Sequence, residues 1–115
     1  MKKINIVKKN KEFSRILKTL RPYKTENFKI YIDLTQDEMY HFGFSVSKKI
    51  GNAVFRNKTR RQLKNILDQK KYKKSFNCII MVKESIKEKS FQEIEVELLQ
   101  ALEFLKLYEG EHNEK

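Results

Sequence analysis

The sequence predicts one α+β domain in which helices pack on a single sheet. Apolar residues recur at helical spacing in three segments, two further segments alternate apolar with polar residues, and another is apolar throughout. These segments follow the order αββαβα, without internal repeats or a linker rich in Gly, Ser or Pro. Since 115 residues have room for one core, we expect a single domain over residues 1–115, ending in a disordered tail at 110–115.

The first predicted helix runs from about Asn10 to Leu20. Its apolar residues recur at positions i, i+3, i+4 and i+7 beginning at Phe13, and Asn10 is a good N-cap. Pro22 stops the helix, because proline disfavours helical backbone in the residue before it and cannot donate a helical hydrogen bond itself.

Two strands are predicted next, at Phe28–Leu34 and Tyr40–Val46. In both segments every second residue is apolar, so that one face is suited to a core and the other to solvent. The residues predicted to face inward are Phe28, Ile30, Ile32, Leu34, Tyr40, Phe42, Phe44 and Val46. Only the short segment TQDEM separates the strands, and we expect them to form an antiparallel pair with one solvated face.

The last third of the chain contains a strand and a long helix. Asn77–Val82 is apolar on both faces, which is typical of a central strand that is covered on each side. Ser90 and Glu93 have the S-x-x-E spacing of a capping box, so the final helix is predicted to begin at Ser90. This helix carries four glutamates, Glu93, Glu95, Glu97 and Glu103, and is followed by a single lysine, Lys106, whereas positive charge is concentrated in the first three quarters of the chain.

The composition indicates a polyanionic partner. A net charge of +11 and a pI near 9.7 favour nucleic acid, with an anionic membrane surface as the second possibility. No apolar run approaches the roughly 20 residues of a spanning helix, and the N-terminus lacks the apolar region of a secretory signal, so we expect a cytoplasmic protein. Cys78 and the two histidines lack metal-ligand spacing, which disfavours a metal held by the protein alone.

The segment after Gly51 predicts a helix with one cationic face. Between Lys48 and Lys74 the sequence has eleven lysines and arginines and one acidic residue, Asp68. On a helical wheel, Phe55, Leu63, Ile66 and Leu67 form a core face, and the cations lie opposite. Arg56, Arg60 and Lys64 are like-charged neighbours at i,i+4, a spacing that costs stability in the free protein and favours a ligand that neutralises it.

The solvated face of the two strands suggests a shallow groove for a single nucleic-acid strand. It is predicted to carry Lys29, Tyr31, His41, Gly43 and Ser45. Small residues permit close approach, and an exposed Tyr31 would stack a base. Phe13 and Leu17 are placed either at the border of this groove or in the core, and His41 is interpreted as a solvated strand residue.

The run FSVSKKIGNAVFRNKTRRQLKNIL closely resembles the signature of the protein subunit of bacterial ribonuclease P, and VKKNKEF resembles that family's basic opening. The resemblance covers most of the chain. It implies the element order αβββαβα and a mixed sheet of the ribosomal protein S5 domain 2-like type, with an uncommon left-handed βαβ crossover. It also implies a subunit of an endoribonuclease that removes the 5′ leader of precursor tRNA, with catalysis by the RNA and no catalytic residue in this chain.

The resemblance and the charge pattern together predict two sets of contacts. Residues expected to bind the catalytic RNA are Lys48, Lys49, Asn52, Arg56, Asn57, Lys58, Arg60, Arg61 and Lys64. Residues expected to bind the leader are Lys9, Phe13, Leu17, Lys29 and Tyr31. Mg²⁺ is expected to be bound mainly by the RNA, and no obligate protein partner or membrane is expected.

Two positions depart from the family's pattern. Lys58 stands where the family often has the second arginine of its arginine-asparagine-arginine motif, and Val82 stands where many members have an arginine. Two other functions compete with this interpretation. A general RNA-binding module of ribosomal-protein type would have the same composition, whereas a protein nuclease would need a carboxylate or histidine cluster, and nothing in the sequence converges on Asp33, Asp37 and Glu38.

Overall fold

Three α-helices and six β-strands make up the part of the chain that the computed structural model describes, Ile6 and residues 11–111. In chain order they are α1 (Lys11–Thr19), β1 (Tyr23–Lys24), β2 (Phe28–Leu34), β3 (Tyr40–Ser45), α2 (Ala53–Leu67), β4 (Lys70–Tyr72), β5 (Phe76–Val82), α3 (Phe91–Phe104) and β6 (Tyr108–Glu111). A 3₁₀ helix, Glu84–Glu88, precedes α3. The predicted α+β class with one larger mixed sheet is confirmed.

The larger sheet has the strand order β1-β2-β5-β3. Strand β5 is central, antiparallel to β2 and parallel to β3, with Ile80 opposite Ile30 and Cys78 opposite Phe42. The central position predicted for this strand is confirmed, but the predicted pairing of β2 with β3 is wrong. Because β5 is apolar on both faces, it is most stable between the other two strands, where both of its faces are covered. Helix α2 belongs to the connection between the parallel strands β3 and β5.

The two faces of this sheet are covered by different helices. The main core contains α2 and α3 residues, such as Leu63 and Leu98, packed with inward residues of the strands. A smaller core lies under α1, where Phe13 and Ile16 pack with Tyr31 and Ile79. The prediction that Tyr31 is exposed is therefore wrong: only 6% of it is accessible, because α1 lies over its face of the sheet.

Two element boundaries differ from the sequence pattern. Leu34 was predicted to face inward and is 81% exposed, because it occupies the last position of β2. The observed α1 begins at Lys11, and the predicted N-cap Asn10 lies outside the described residues. The capping box predicted for α3 is confirmed, since the Ser90 hydroxyl accepts from the Glu93 N–H and the Glu93 carboxylate accepts from the Ser90 N–H.

A second, two-stranded sheet was not predicted. Strands β4 and β6 pair antiparallel, with Lys71 opposite Gly110 and a bulge between Lys71 and Tyr72. Tyr72 is buried, and its hydroxyl donates to the carbonyl of Leu67 at 2.6 Å, which ties β4 to the end of α2. Residues 110 and 111, the first two of the predicted disordered tail, belong to β6, and residues 112–115 lie outside the described residues.

A polar cluster joins α3 to the turn before β2. Asn27 is 1% exposed, and both its backbone N–H and its side-chain amide donate to the carboxylate of Glu97. The Thr25 hydroxyl donates to the same carboxylate at 2.6 Å. The Ser85 hydroxyl donates to the Asn27 side-chain oxygen, also at 2.6 Å. Glu97 therefore satisfies buried donors that the interior would otherwise leave unpaired.

Candidate nucleic-acid interface

Helix α2 begins with a capped N-terminus and packs on the sheet through one face. The side-chain oxygen of Asn52 accepts from the Phe55 N–H at 2.9 Å, which makes Asn52 the N-cap of the helix. Leu63, Ile66 and Leu67 are fully buried, and the predicted core face is confirmed for them, whereas Phe55 is half-buried. This packing fixes the helix and leaves the opposite face to solvent.

The opposite face of α2 presents unneutralised positive charge. Lys58, Arg61 and Lys64 are exposed, and Arg56 and Arg60 are half-buried at the helix surface. Within the part of the chain that the structure describes, none of these five cations forms an ion pair with a carboxylate. The side chains are available to an external anion, and we call them, together with Asn57, the α2 cationic face.

Two of the arginines are oriented by neutral partners. Nε of Arg56 donates to the Gly51 carbonyl at 3.2 Å, and Nη1 of Arg60 donates to the side-chain oxygen of Asn57 at 3.0 Å. Each guanidinium keeps further donors that can form a bidentate contact with a phosphate. Lys48 and Lys49 are exposed in the turn that leads into the helix, so they extend the positive charge toward its N-terminus.

Gly51 is required by a close approach of the chain to the Phe55 ring. A Cβ at this position would lie 2.9 Å from Cδ2 of Phe55 and 3.2 Å from its Cβ and Cγ. A contact of 2.9 Å is shorter than carbon atoms tolerate without movement. The absent side chain allows the turn to lie against the first turn of α2, beside the Arg56 contact.

Gly51→Ala is expected to lower the free energy of unfolding by about 1–3 kcal/mol through overpacking. Urea denaturation of both proteins measures the difference. The control is the same substitution in a Phe55→Ala background, where the ring is gone and the penalty should be smaller. An equal penalty in both backgrounds would show that crowding by the ring is not its cause.

A polar row crosses the face of the sheet on which α1 lies. Asp33, Asn77 and His41 occupy adjacent positions on β2, β5 and β3. Nδ1 of His41 and the side-chain oxygen of Asn77 are 3.1 Å apart, and the Asn77 amide donates to Asp33 at 3.4 Å. Nη2 of Arg15, on α1, donates to the same carboxylate at 2.9 Å. His41 is a strand residue, as predicted, but it is half-buried and hydrogen-bonded, so it is only partly solvated.

Sequence reasoning missed this polar row. Asn77, the polar residue near the start of an otherwise apolar strand, was the available signal. Its partners depend on the β2-β5-β3 order, which the sequence pattern did not reveal.

The predicted leader-binding residues divide into two groups. Phe13 and Tyr31 are 3% and 6% exposed, and both belong to the buried cluster between α1 and the sheet. Leu17 and Lys29 are half-buried at its margin, and Lys9 lies outside the described residues. Leu17 and Lys29 therefore keep part of their surface accessible to a ligand, whereas the two rings do not.

Other candidate chemical groups were also located. Cys78 is fully buried, and burial raises the pKa of its thiol, so that it stays protonated. Among residues 11–111 and Ile6, no group of three or more His, Cys, Asp or Glu side chains is placed to hold a metal ion. Over the same residues, no helix has both the length and the apolar character needed to cross a bilayer. Val82, the second departure from the family pattern, is buried at the end of β5.

The α+β fold and the α2 cationic face define a small basic domain of the RNA-binding class. A family model described as Ribonuclease P matches residues 1–106. The chain belongs to the ribonuclease P protein family, and the resemblance found in the signature run is confirmed.

Relatives and solved structures agree with this membership. The chain is similar to a ribonuclease P protein component of Streptococcus pneumoniae serotype 4, with 32% identity over all of this chain and 96% of the relative. A structure of the Staphylococcus aureus RNase P protein superposes with a TM-score of 0.79 at 26% identity, covering 91% of this chain and 98% of that one. The Thermotoga maritima RNase P protein shares the fold, with a TM-score of 0.70 at 22% identity over 80% and 89% of the two chains.

Proposed function

We propose that this protein is the protein subunit of ribonuclease P, which binds the catalytic RNA and the 5′ leader of precursor tRNA and assists magnesium-dependent removal of that leader. The observation that carries the proposal is the α2 cationic face. It lies within the family signature, and its cations have no acidic partner in the described residues. A large folded RNA supplies the phosphates that would neutralise it.

The catalytic RNA is proposed to bind along α2 and at its N-terminus. The guanidinium groups of Arg56, Arg60 and Arg61 offer paired donors that match phosphate oxygens. Lys58 offers only a point charge at the position where the family often has a second arginine. Asn57 holds Arg60 and can donate its own amide to a base or sugar. The free N–H groups of the first turn and the nearby Lys48 and Lys49 complete an anion-binding end.

The leader is proposed to lie across the rim of the groove beside α1. Lys29 supplies a positive charge for the backbone, and Leu17 supplies an apolar surface for a base. The burial of Phe13 and Tyr31 gives these rings the role of holding α1 in place, which fixes the position of the rim. The polar row at Asp33, Asn77 and His41 offers hydrogen-bonding groups on the same face of the sheet.

We place the chemistry in the RNA. Hydrolysis of the phosphodiester is assigned to Mg²⁺ held mainly by RNA oxygen atoms, the hard ligands that this cation prefers. The protein then contributes positive charge that reduces repulsion between catalytic RNA and substrate, so a lower Mg²⁺ concentration suffices. On this view the protein acts in the cytoplasm and needs no obligate protein partner.

The test is cleavage of precursor tRNA at low Mg²⁺ by a bacterial ribonuclease P RNA, with and without the protein, and with the protein alone as control. We expect cleavage to rise only when RNA and protein are both present. Binding should also be tighter for precursor than for mature tRNA. Tight binding of many RNAs without stimulation would favour a general RNA-binding module. Cleavage by the protein alone would contradict the assignment of the chemistry to the RNA.

A further inference from the structure

We propose that Lys71, Lys73 and Lys74, named here the lysine patch, form a second phosphate-binding surface for structured RNA. The patch lies on β4 and the turn after it, beyond the C-terminal end of α2, and shares no residue with the α2 cationic face or with the proposed leader-binding residues. The inference rests on the proposed function, because it concerns how far the RNA-binding surface extends. The three lysines lie outside the family signature run and outside the proposed leader-binding residues, so neither proposed contact assigns them a role.

The side chains of the three lysines have no ionic partner among the residues that the structure describes. All are exposed, and none forms an ion pair within the described residues. Other lysines of this chain are used differently. Lys70, the first residue of β4, lies with Nζ 4.9 Å from the centre of the Tyr108 ring, and Lys89 is paired with Glu26 at 2.9 Å. The lysine patch is thus positive charge that the fold does not use.

The backbone under the patch is held in place on several sides. The Lys73 N–H donates to the Leu107 carbonyl at 2.9 Å, and the Ser75 N–H donates to the Met39 carbonyl at 3.1 Å. The Ser75 carbonyl accepts from the Thr35 N–H at 2.9 Å, and Ser75 has a left-handed φ of 71°. A segment fixed in this way loses little backbone entropy when it binds a ligand, which favours a functional surface over an untethered loop.

The patch continues from the end of α2. Exposed Lys64 lies in the last turn of that helix, and β4 begins three residues after its end at Leu67. The Tyr72 hydroxyl bonded to the Leu67 carbonyl fixes β4 against this end. An RNA that lies along α2 and extends past its C-terminus would therefore meet the patch. Lysines suit such a contact, because a flexible point charge binds backbone phosphates without reading sequence.

The alternative is that these lysines only protect a sheet edge. Strand β4 is half of a two-stranded sheet, and lysines on edge strands discourage pairing with another chain. That role predicts no effect on RNA binding beyond the general loss of positive charge. A comparison with an equal loss of charge elsewhere separates the two possibilities.

The experiment compares two triple variants of the full chain. The patch variant is K71Q, K73Q and K74Q, and the control is R21Q, K24Q and K87Q, which removes the same charge from three exposed positions outside the proposed interfaces. Affinity for ribonuclease P RNA is measured between about 50 and 200 mM salt, together with precursor tRNA affinity of the assembled enzyme. The patch variant is expected to lose on the order of tenfold in affinity and about 2.7 units of log-log salt slope, since each of the three phosphate contacts contributes about 0.9.

The two binding measurements identify which RNA supplies the phosphates. If the patch variant has a smaller salt slope than the control for binding ribonuclease P RNA, the patch contacts that RNA. If the salt slope is smaller only for binding of precursor tRNA by the assembled enzyme, the patch contacts the substrate. Equal losses in the patch and control variants on both RNAs would overturn the proposal. Failure of the wild-type protein to stimulate cleavage would count against the proposed function alone, because the comparison of salt slopes would still decide the patch.

Discussion

Replacing Arg60 and Arg61 by alanine is expected to weaken binding to ribonuclease P RNA by about 10- to 100-fold and to lower the log-log salt slope by about two units, one per lost phosphate contact. The same substitutions should slightly stabilise the free protein, although they weaken RNA binding. Arg60 has like-charged neighbours at i,i+4 on both sides, Arg56 and Lys64, so its removal should raise the free energy of unfolding by a few tenths of a kcal/mol. Salt-dependent binding and urea denaturation measure the two effects.

Two controls make this result specific. Asn65→Ala changes an exposed neutral residue of the same helix and should leave RNA binding unchanged. The double substitution R60K and R61K keeps the charge, so it should restore the salt slope and recover only part of the affinity if paired guanidinium donors contribute. A loss of stability that parallels the loss of binding would mean that the arginines support the fold, and the assignment of α2 as the RNA-binding face would then fail.

Glu97→Ala is expected to lower the free energy of unfolding by about 2–4 kcal/mol. The substitution removes the acceptor for Thr25 and for two donors of Asn27, which is 1% exposed, and an unsatisfied buried polar group costs about 1–3 kcal/mol. The segment they hold leads directly into β2. Urea denaturation followed by circular dichroism measures the change, with cooperativity checked from the m-value.

Glu103→Ala is the matched control on the same helix. Glu103 is exposed in the last turn of α3, where a negative charge is unfavourable to the helix dipole, so its loss should change stability by no more than about 0.5 kcal/mol. Equal stability of the two variants would contradict the prediction. It would mean that water satisfies the donors of Asn27 and Thr25 no less effectively than the Glu97 carboxylate.

Several parts of the fold were predictable because local sequence determines them. The limits of α2 follow from Asn52 as the N-cap and from the apolar positions that end at Leu67. The start of α3 follows from the capping box at Ser90. The central place of β5 follows from a run that is apolar on both faces. In each case the deciding contacts lie within one element, where spacing along the chain shows them.

The remaining features depend on contacts between elements distant in sequence. Tyr31 alternates like a solvated residue, and only the docking of α1 on its face makes it buried. Strand β4 has three residues and no apolar alternation, so its existence depends on β6, which pairs with it from a distant part of the chain, Tyr72 lying opposite Tyr108. The α2 cationic face was predictable from charge alone, whereas the polar row at Asn77 required knowledge of which strands are neighbours.

The packing of α2 beside α3 places a basic helix next to an acidic one, so the charge distribution of the molecule is asymmetric. Helix α2 carries cations without an ion pair to any residue that the structure describes, and α3 carries Glu93, Glu95, Glu97 and Glu103. The glutamates of α3 weaken the local attraction for a polyanion, whereas the cations of α2 strengthen it, so we expect a polyanion to approach with α2 foremost. The consequence we expect is kinetic: the acidic helix contributes no contact to RNA, but the asymmetric charge favours encounters that present α2 and so raises the association rate.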